Sequence, residues 1–166
     1  MRRDKDLREE LNQTLEGRVC LMGLGNSEQG DDGLGVWLAE ELIALGVPDV
    51  LVAGTTPESF LSTATDQEFD HVVFLDAVEF GSEPGSVVFL SMEQIESRFP
   101  QVSTHKISLS VLAKFIESNE ITRAWLLGVQ PESTRLGASI SPRVSATLDV
   151  LRDWLFRLKT KEILVC

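Results

Sequence analysis

Five short apolar runs, at 19–24, 50–53, 71–77, 87–90 and 124–129, alternate with longer stretches of helical period at 34–45, 59–65, 108–118 and 142–158. The runs are rich in Val, Leu and Phe and too short for helices, which suits strands buried on both faces of a parallel sheet. The longer stretches suit helices laid over that sheet. Strand and helix in turn predict an α/β fold, a three-layer sandwich with a mostly parallel five-stranded sheet and helices on both faces. One connection breaks the rhythm. Only residues 78–86 join the third run to the fourth, where a parallel crossover needs about a dozen or more. Pro84-Gly85 is a turn signal, so the fourth strand is expected to run antiparallel at an edge.

No internal repeat or low-complexity linker interrupts this order, and 166 residues suffice for one domain with a sizeable core. Residues 1–166 are therefore read as a single α/β domain. Its first 17 residues form a helical extension, in which Leu7, Leu11 and Leu15 recur every four positions as one thin apolar stripe.

The formal charge of −11 and the pI near 4.6 exclude a nucleic-acid backbone or an anionic membrane as partner, because both need a basic footprint. Cys20 lies inside an apolar run and Cys166 ends the chain, so they form neither a C-x-x-C ligand pair nor a disulfide framework. Met1-Arg2-Arg3 is followed by charged residues rather than an apolar secretory core. No stretch reaches the roughly 18–20 apolar residues that cross a bilayer. Together these features predict a cytoplasmic protein.

The chemistry concentrates in the segment LMGLGNSEQGDDGLG at 21–35, where Asp31 and Asp32 sit in a Gly-rich turn between the first strand and the first long helical stretch. Such a turn usually cradles phosphate on free N–H groups at a helix start. Two carboxylates would repel a phosphate and attract a cation instead. In an open parallel sheet, ligands collect beyond the carboxyl ends of the strands, where the winding direction changes. The third strand, HVVFLDA, ends at Asp76. If strands one and three are neighbours, Asp76 and Asp32 face one another across about one strand spacing of 4.8 Å.

The chain has two histidines. His71 begins the third strand and lies about 16 Å from Asp76 at 3.3 Å per residue, toward the opposite edge, so it is read as a surface strand terminus. His105 sits in the polar loop 101–106, which can return to the carboxyl edge, and it is the candidate nitrogen ligand. Asp31 is assigned to N-capping the helix that follows it, Asp32 to the site, and Glu28 is a reserve ligand or a solvent-facing loop acid.

Several familiar sites are excluded. Glu28 stands where a dinucleotide fingerprint needs its third glycine. Gly30 continues into Asp31-Asp32 rather than the Lys-Ser/Thr of a phosphate loop. Neither H-E-x-x-H nor a G-x-S-x-G elbow occurs, and neither cysteine has a histidine nearby in sequence to activate it.

Four segments, in order, carry a resemblance: Gly23-x-Gly25-Asn26-x-x-x-x-Asp31-Asp32-Gly33-x-Gly35, Phe74-Leu75-Asp76-Ala77, Ser103-x-His105-x-x-x-Leu109, and Leu127-Gly128-Val129-x-Pro131-Glu132-Ser133. Together they resemble the [NiFe]-hydrogenase maturation endopeptidases, over most of the chain between Arg18 and Leu158. The resemblance implies a protease that removes a short C-terminal extension from the hydrogenase large-subunit precursor after nickel insertion. The family's metal-contacting positions fall on Asp32, Asp76 and His105, which the resemblance makes the recognition and catalytic centre. The cofactor it implies is nickel supplied by the precursor, and a different divalent metal is compatible with the isolated protein. An O, O, N donor set suits nickel, zinc or manganese. A cation held there can acidify water and stabilise an oxyanion. The loop at Pro131-Glu132-Ser133 is expected to line the cleft for the substrate tail. Two other classes are the alternatives: a metal-dependent binding module that uses the same three residues without hydrolysis, and a nucleotide-binding α/β protein whose Asp31 and Asp32 hold magnesium.

Overall fold

The computed structural model describes residues 4–98 and 108–161. Its strands are β1 (Val19–Leu24), β2 (Val50–Gly54), β3 (His71–Ala77), β4 (Val87–Ser91) and β5 (Arg123–Val129). Its helices are α1 (Asp4–Thr14), α2 (Leu34–Ala44), α3 (Leu61–Asp66), α4 (Met92–Arg98), α5 (Leu109–Glu117) and α6 (Pro142–Thr160). The strands form one sheet in the order β2-β1-β3-β5-β4. Four are parallel; β4 pairs with β5 in the opposite sense at the edge. The short β3–β4 connection dictates that reversal of direction. β4's partner, however, is β5, which enters between it and β3.

Alternation along the strands splits the core into two layers. Val19 and Leu21 of β1, with Val73 and Leu75 of β3, pack beneath α2, α6 and α1. Cys20, Met22, Val72 and Phe74 pack beneath α3, α4 and α5. Every residue of β1 is buried, as a central parallel strand covered on both sides requires. On the same alternation Asp76, two beyond Phe74, belongs to the α5 side of the sheet.

The leucine stripe of the N-terminal segment is part of this core. Leu7, Leu11 and Leu15 are all buried in the layer shared with α2 and α6, each contributing about 1.5–3 kcal/mol of apolar transfer. The long stretches at 34–45 and 142–158 become α2 and α6, while the stretch at 59–65 divides into a 3-10 turn (Pro57–Phe60) and α3. The helix α4 has no counterpart among the segments expected from the sequence.

The order places the winding reversal between β1 and β3: from β1 the sheet grows outward to β2 on one side and through β3 and β5 on the other. Helix α5 runs against β5. Its last residue, Glu117, accepts the N–H of Ala124 at the start of β5 at 3.1 Å, so its N-cap Ser108 lies toward the carboxyl rim.

Candidate active site at the carboxyl rim

The turn after β1 is built by close approaches that exclude side chains. Gly25 has φ +119, and a Cβ there would lie 1.8 Å from the carbonyl oxygen of Asp32. A Cβ on Gly35 would lie 2.0 Å from the Leu75 carbonyl and 2.5 Å from that of Leu24. The first turn of α2 is therefore pressed directly onto the ends of β1 and β3. The glycines of the motif thus fix the distance between the acidic turn and the strand that carries Asp76.

Asp32 lies in a 3-10 turn (Gly30–Gly33) and is 6% exposed. Its Oδ2 accepts the N–H of Asn26 at 2.9 Å, the one hydrogen bond its side chain makes among the described residues. Asp76, near the end of β3, is 3% exposed, and its Oδ1 accepts the N–H of Ala77 at 2.9 Å. The pairing Gly23↔Leu75 makes β1 and β3 direct neighbours up to this rim, the arrangement on which the expected facing of Asp32 and Asp76 depends. His105 lies outside the described residues. Among the described residues no three His, Cys, Asp or Glu side chains group as a metal site, and the expected trio has only two members there.

Asp31 does not cap the helix that follows it. The N-cap of α2 is Gly33, with no side-chain capping bond. Asp31 is instead fully buried and turned toward the loop between β5 and α6. Its Oδ2 accepts the N–H groups of Glu132 and Ser133 at 2.8 and 3.1 Å and the Ser141 hydroxyl at 2.7 Å; its Oδ1 accepts the Ser141 N–H at 2.7 Å. Ser141 is the N-cap of α6 and makes no capping bond to its own helix. Asp31 thus serves the start of α6, a position where negative charge is favoured. Burial alone would raise its pKa; the hydrogen bonds from Ser141, Ser133 and Glu132 outweigh burial and hold the carboxyl below its usual range.

Gln130 was not singled out in the sequence, yet it organises the neighbouring loop. It is buried; its Oε1 accepts the N–H groups of Phe80 and Ser82 at 2.9 and 3.3 Å, and its Nε2 donates to Glu79 at 2.7 Å. The loop that follows Asp76 is fixed in this way from the end of β5. A lone glutamine after a strand carries no spacing signal that could have marked it.

His71 stands at the opposite end of β3 from Asp76, as expected from strand length. It is not a bland surface terminus. It is half-buried, and its Nδ1 accepts the indole N–H of Trp125 at 3.0 Å. Burial lowers its pKa, more than the nearby Asp70 raises it. Cys20 is fully buried; burial, only partly opposed by Lys159, pushes its thiol up to about 12, which excludes it as a nucleophile at neutral pH.

Comparisons with known proteins agree with this architecture. The sequence model of the family described as hydrogenase maturation protease, HycI, matches residues 37–155, a span that includes Asp76 and His105 and begins after Asp32. The hydrogenase 3 maturation protease of Escherichia coli K12 is 30% identical over 114 residues, covering 68% of this chain and 72% of that protein. The crystal structure of a [NiFe] hydrogenase maturation protease HycI from Thermococcus kodakarensis superposes with a TM-score of 0.81 at 31% identity, over 91% of this chain and 99% of that one. The solution structure of the endopeptidase HycI from Escherichia coli, at 23% identity and a TM-score of 0.74 over 88% of this chain and 92% of that one, shares the fold. On the family match and the extent of these similarities, the chain belongs to the hydrogenase maturation protease family.

Proposed function

We propose that this protease removes the C-terminal extension of a [NiFe]-hydrogenase large-subunit precursor once nickel has been inserted, and that Asp32, Asp76 and His105 recognise the nickel the precursor carries. The observation that supports this most is the neighbouring of β1 and β3 at the winding reversal, with one buried aspartate near the end of β3 and another in the turn that follows β1. Two carboxylates brought to one rim favour a cation there. Neither Arg nor Lys pairs with Asp32 among the described residues. Its one hydrogen bond, from Asn26, fixes the carboxylate by Oδ2. The donor chemistry therefore suits a divalent ion, with Asp32 and Asp76 supplying oxygen and His105 nitrogen. His105 precedes by three positions the N-cap of α5, which lies toward this rim.

In this reading the metal is part of the substrate. When bound it supplies charge to stabilise an oxyanion and to polarise the scissile peptide. The protein's own residues bind and orient: Asn26 holds Asp32, Gly35 sets the spacing of the two acids, and Gln130 shapes the loop beyond Asp76. Coupling recognition to nickel makes cleavage conditional on loading. The partner is the large-subunit precursor, and the setting is the cytoplasm. Among the described residues no helix is long and apolar enough to cross a membrane.

Incubation with nickel-loaded and nickel-free precursor tests the proposal, read as a mass shift of the large subunit. Loaded precursor is expected to shorten and nickel-free precursor to persist. Equal processing of both would overturn nickel recognition, and processing of neither would overturn the substrate assignment.

A further inference from the structure

Asp31 is the buried acid that this reading leaves without a task. Its four accepted bonds all come from the β5–α6 loop, residues 130–141, about a hundred positions away. Backbone contacts add to them: the Asp31 N–H reaches the Ser133 carbonyl at 2.9 Å and the Gly137 N–H reaches that of Glu28 at 2.7 Å. A Cβ on Gly30 would lie 2.6 Å from the Ser133 carbonyl, so the turn and the loop touch backbone to backbone. The loop contains no helix or strand. Surface loops positioned by a rigid scaffold commonly carry binding residues. This one is fastened at both ends and near its middle to the turn that bears Asp32.

At the loop's tip, Leu136 is 71% exposed, the highest value among the large apolar side chains of the described residues, and Arg135 beside it is exposed. A single exposed leucine is ordinary. A leucine held out on a loop clamped to the candidate catalytic turn is not, because that loop's backbone is ordered before any substrate arrives. Preordering removes an entropic cost that a mobile loop would meet on binding.

We propose that Asp31 is a positioning residue of the proteolytic reaction, and that the loop it fastens is the edge on which the hydrogenase precursor docks, with Leu136 contacting an apolar side chain of that precursor. The inference rests on the substrate reading above. Asp31 itself touches no reacting atom. It holds Asp32 and Leu136 in one frame, so that a precursor seated on the loop presents its metal to the acids.

Steady-state processing of nickel-loaded precursor by Leu136→Asp and Asp31→Asn tests this, alongside wild type. Leu136→Asp changes an exposed side chain and should melt with wild type; kcat/KM is expected to fall about tenfold, through KM. Asp31→Asn turns an amide donor toward a cluster of donors, and the same rise in KM is expected, accompanied by faster hydrogen exchange at the N–H groups of Glu132, Ser133 and Ser141. Leu136→Asp with a wild-type KM overturns the docking edge. Folded Asp31→Asn with a wild-type KM overturns the positioning role; if Asp31→Asn fails to fold, Leu136→Asp decides the docking edge and Ser141→Ala, which removes one of the four bonds, decides the positioning role by the same KM criterion. Failure of wild type itself to cut loaded precursor overturns the underlying substrate reading and is read separately from the variants.

Discussion

The two rims of the sheet carry similar residues and use them in opposite ways. At the amino rim, Asp70 accepts the N–H of Arg18 at 2.7 Å, the Arg18 guanidinium lies 4.5 Å from the centre of the Phe69 ring and 3.5 Å from Asp49, and His71 is bound by Trp125. There the charges of Arg18 and Asp49 answer one another, while Asp70 is held by a backbone N–H. At the carboxyl rim, Asp31 and Asp32 are answered by N–H and hydroxyl groups alone, with no Arg or Lys pairing among the described residues. Hydrogen bonds orient a carboxylate without neutralising it, so the negative charge of these two acids remains to attract a cation from outside. A histidine or aspartate thus acquires its role from which rim the strand direction assigns it.

The largest effect expected from this contrast is catalytic. Asp76→Asn and Asp32→Asn should each lower processing of loaded precursor by more than about 100-fold, the upper range for groups that merely support metal ligands. Asp70→Asn at the other rim should leave processing within about twofold, scored by the same assay of large-subunit mass. A dead Asp70→Asn that still folds would erase the distinction between the rims.

Next in size is a stability effect confined to the carboxyl rim. Asp31→Ala leaves its four donors in a buried site without an acceptor, and the expected loss is about 3 kcal/mol, measured by urea denaturation. A loss well below 1 kcal/mol would show that water replaces the carboxylate easily and that the loop is not held by it.

The smallest effect belongs to His71. Its folded pKa is depressed, chiefly by burial, so its neutral form contributes stability that is complete above the unfolded value near 6.5 and lost as pH falls through the folded value. Wild type should therefore lose stability as pH falls below about 7 with a component that His71→Gln lacks. Identical pH profiles would mean that the Trp125 contact imposes no cost on protonation.

Much of the fold was legible because its signals are local. The runs at 19–24 and 71–77 match β1 and β3 residue for residue, since their apolar cores at 19–24 and 72–75 are too short for helices. Helix α4 escaped because it is short and offers one buried apolar residue, Ile95, too few for a period. The positions of Asp32 in the turn after β1 and of Asp76 near the end of β3 could be read from pattern. The task of Asp31 could not, because its partners lie about a hundred residues away and only the folded loop brings them near. Adjacent aspartates suggested a cap, and the carboxylate does serve a helix start, but that of α6.

The central claim, that an ion is gathered at the carboxyl rim and not the amino rim, is tested most directly by Mn²⁺ titration of the ¹⁵N-labelled protein, followed by paramagnetic broadening of amide signals. Broadening is predicted to centre on Asn26, Asp32, Gly33 and Ala77 and to leave Asp70, His71 and Arg123 sharp. Broadening centred on Asp70 and His71, or spread evenly over the acidic surface, would contradict it.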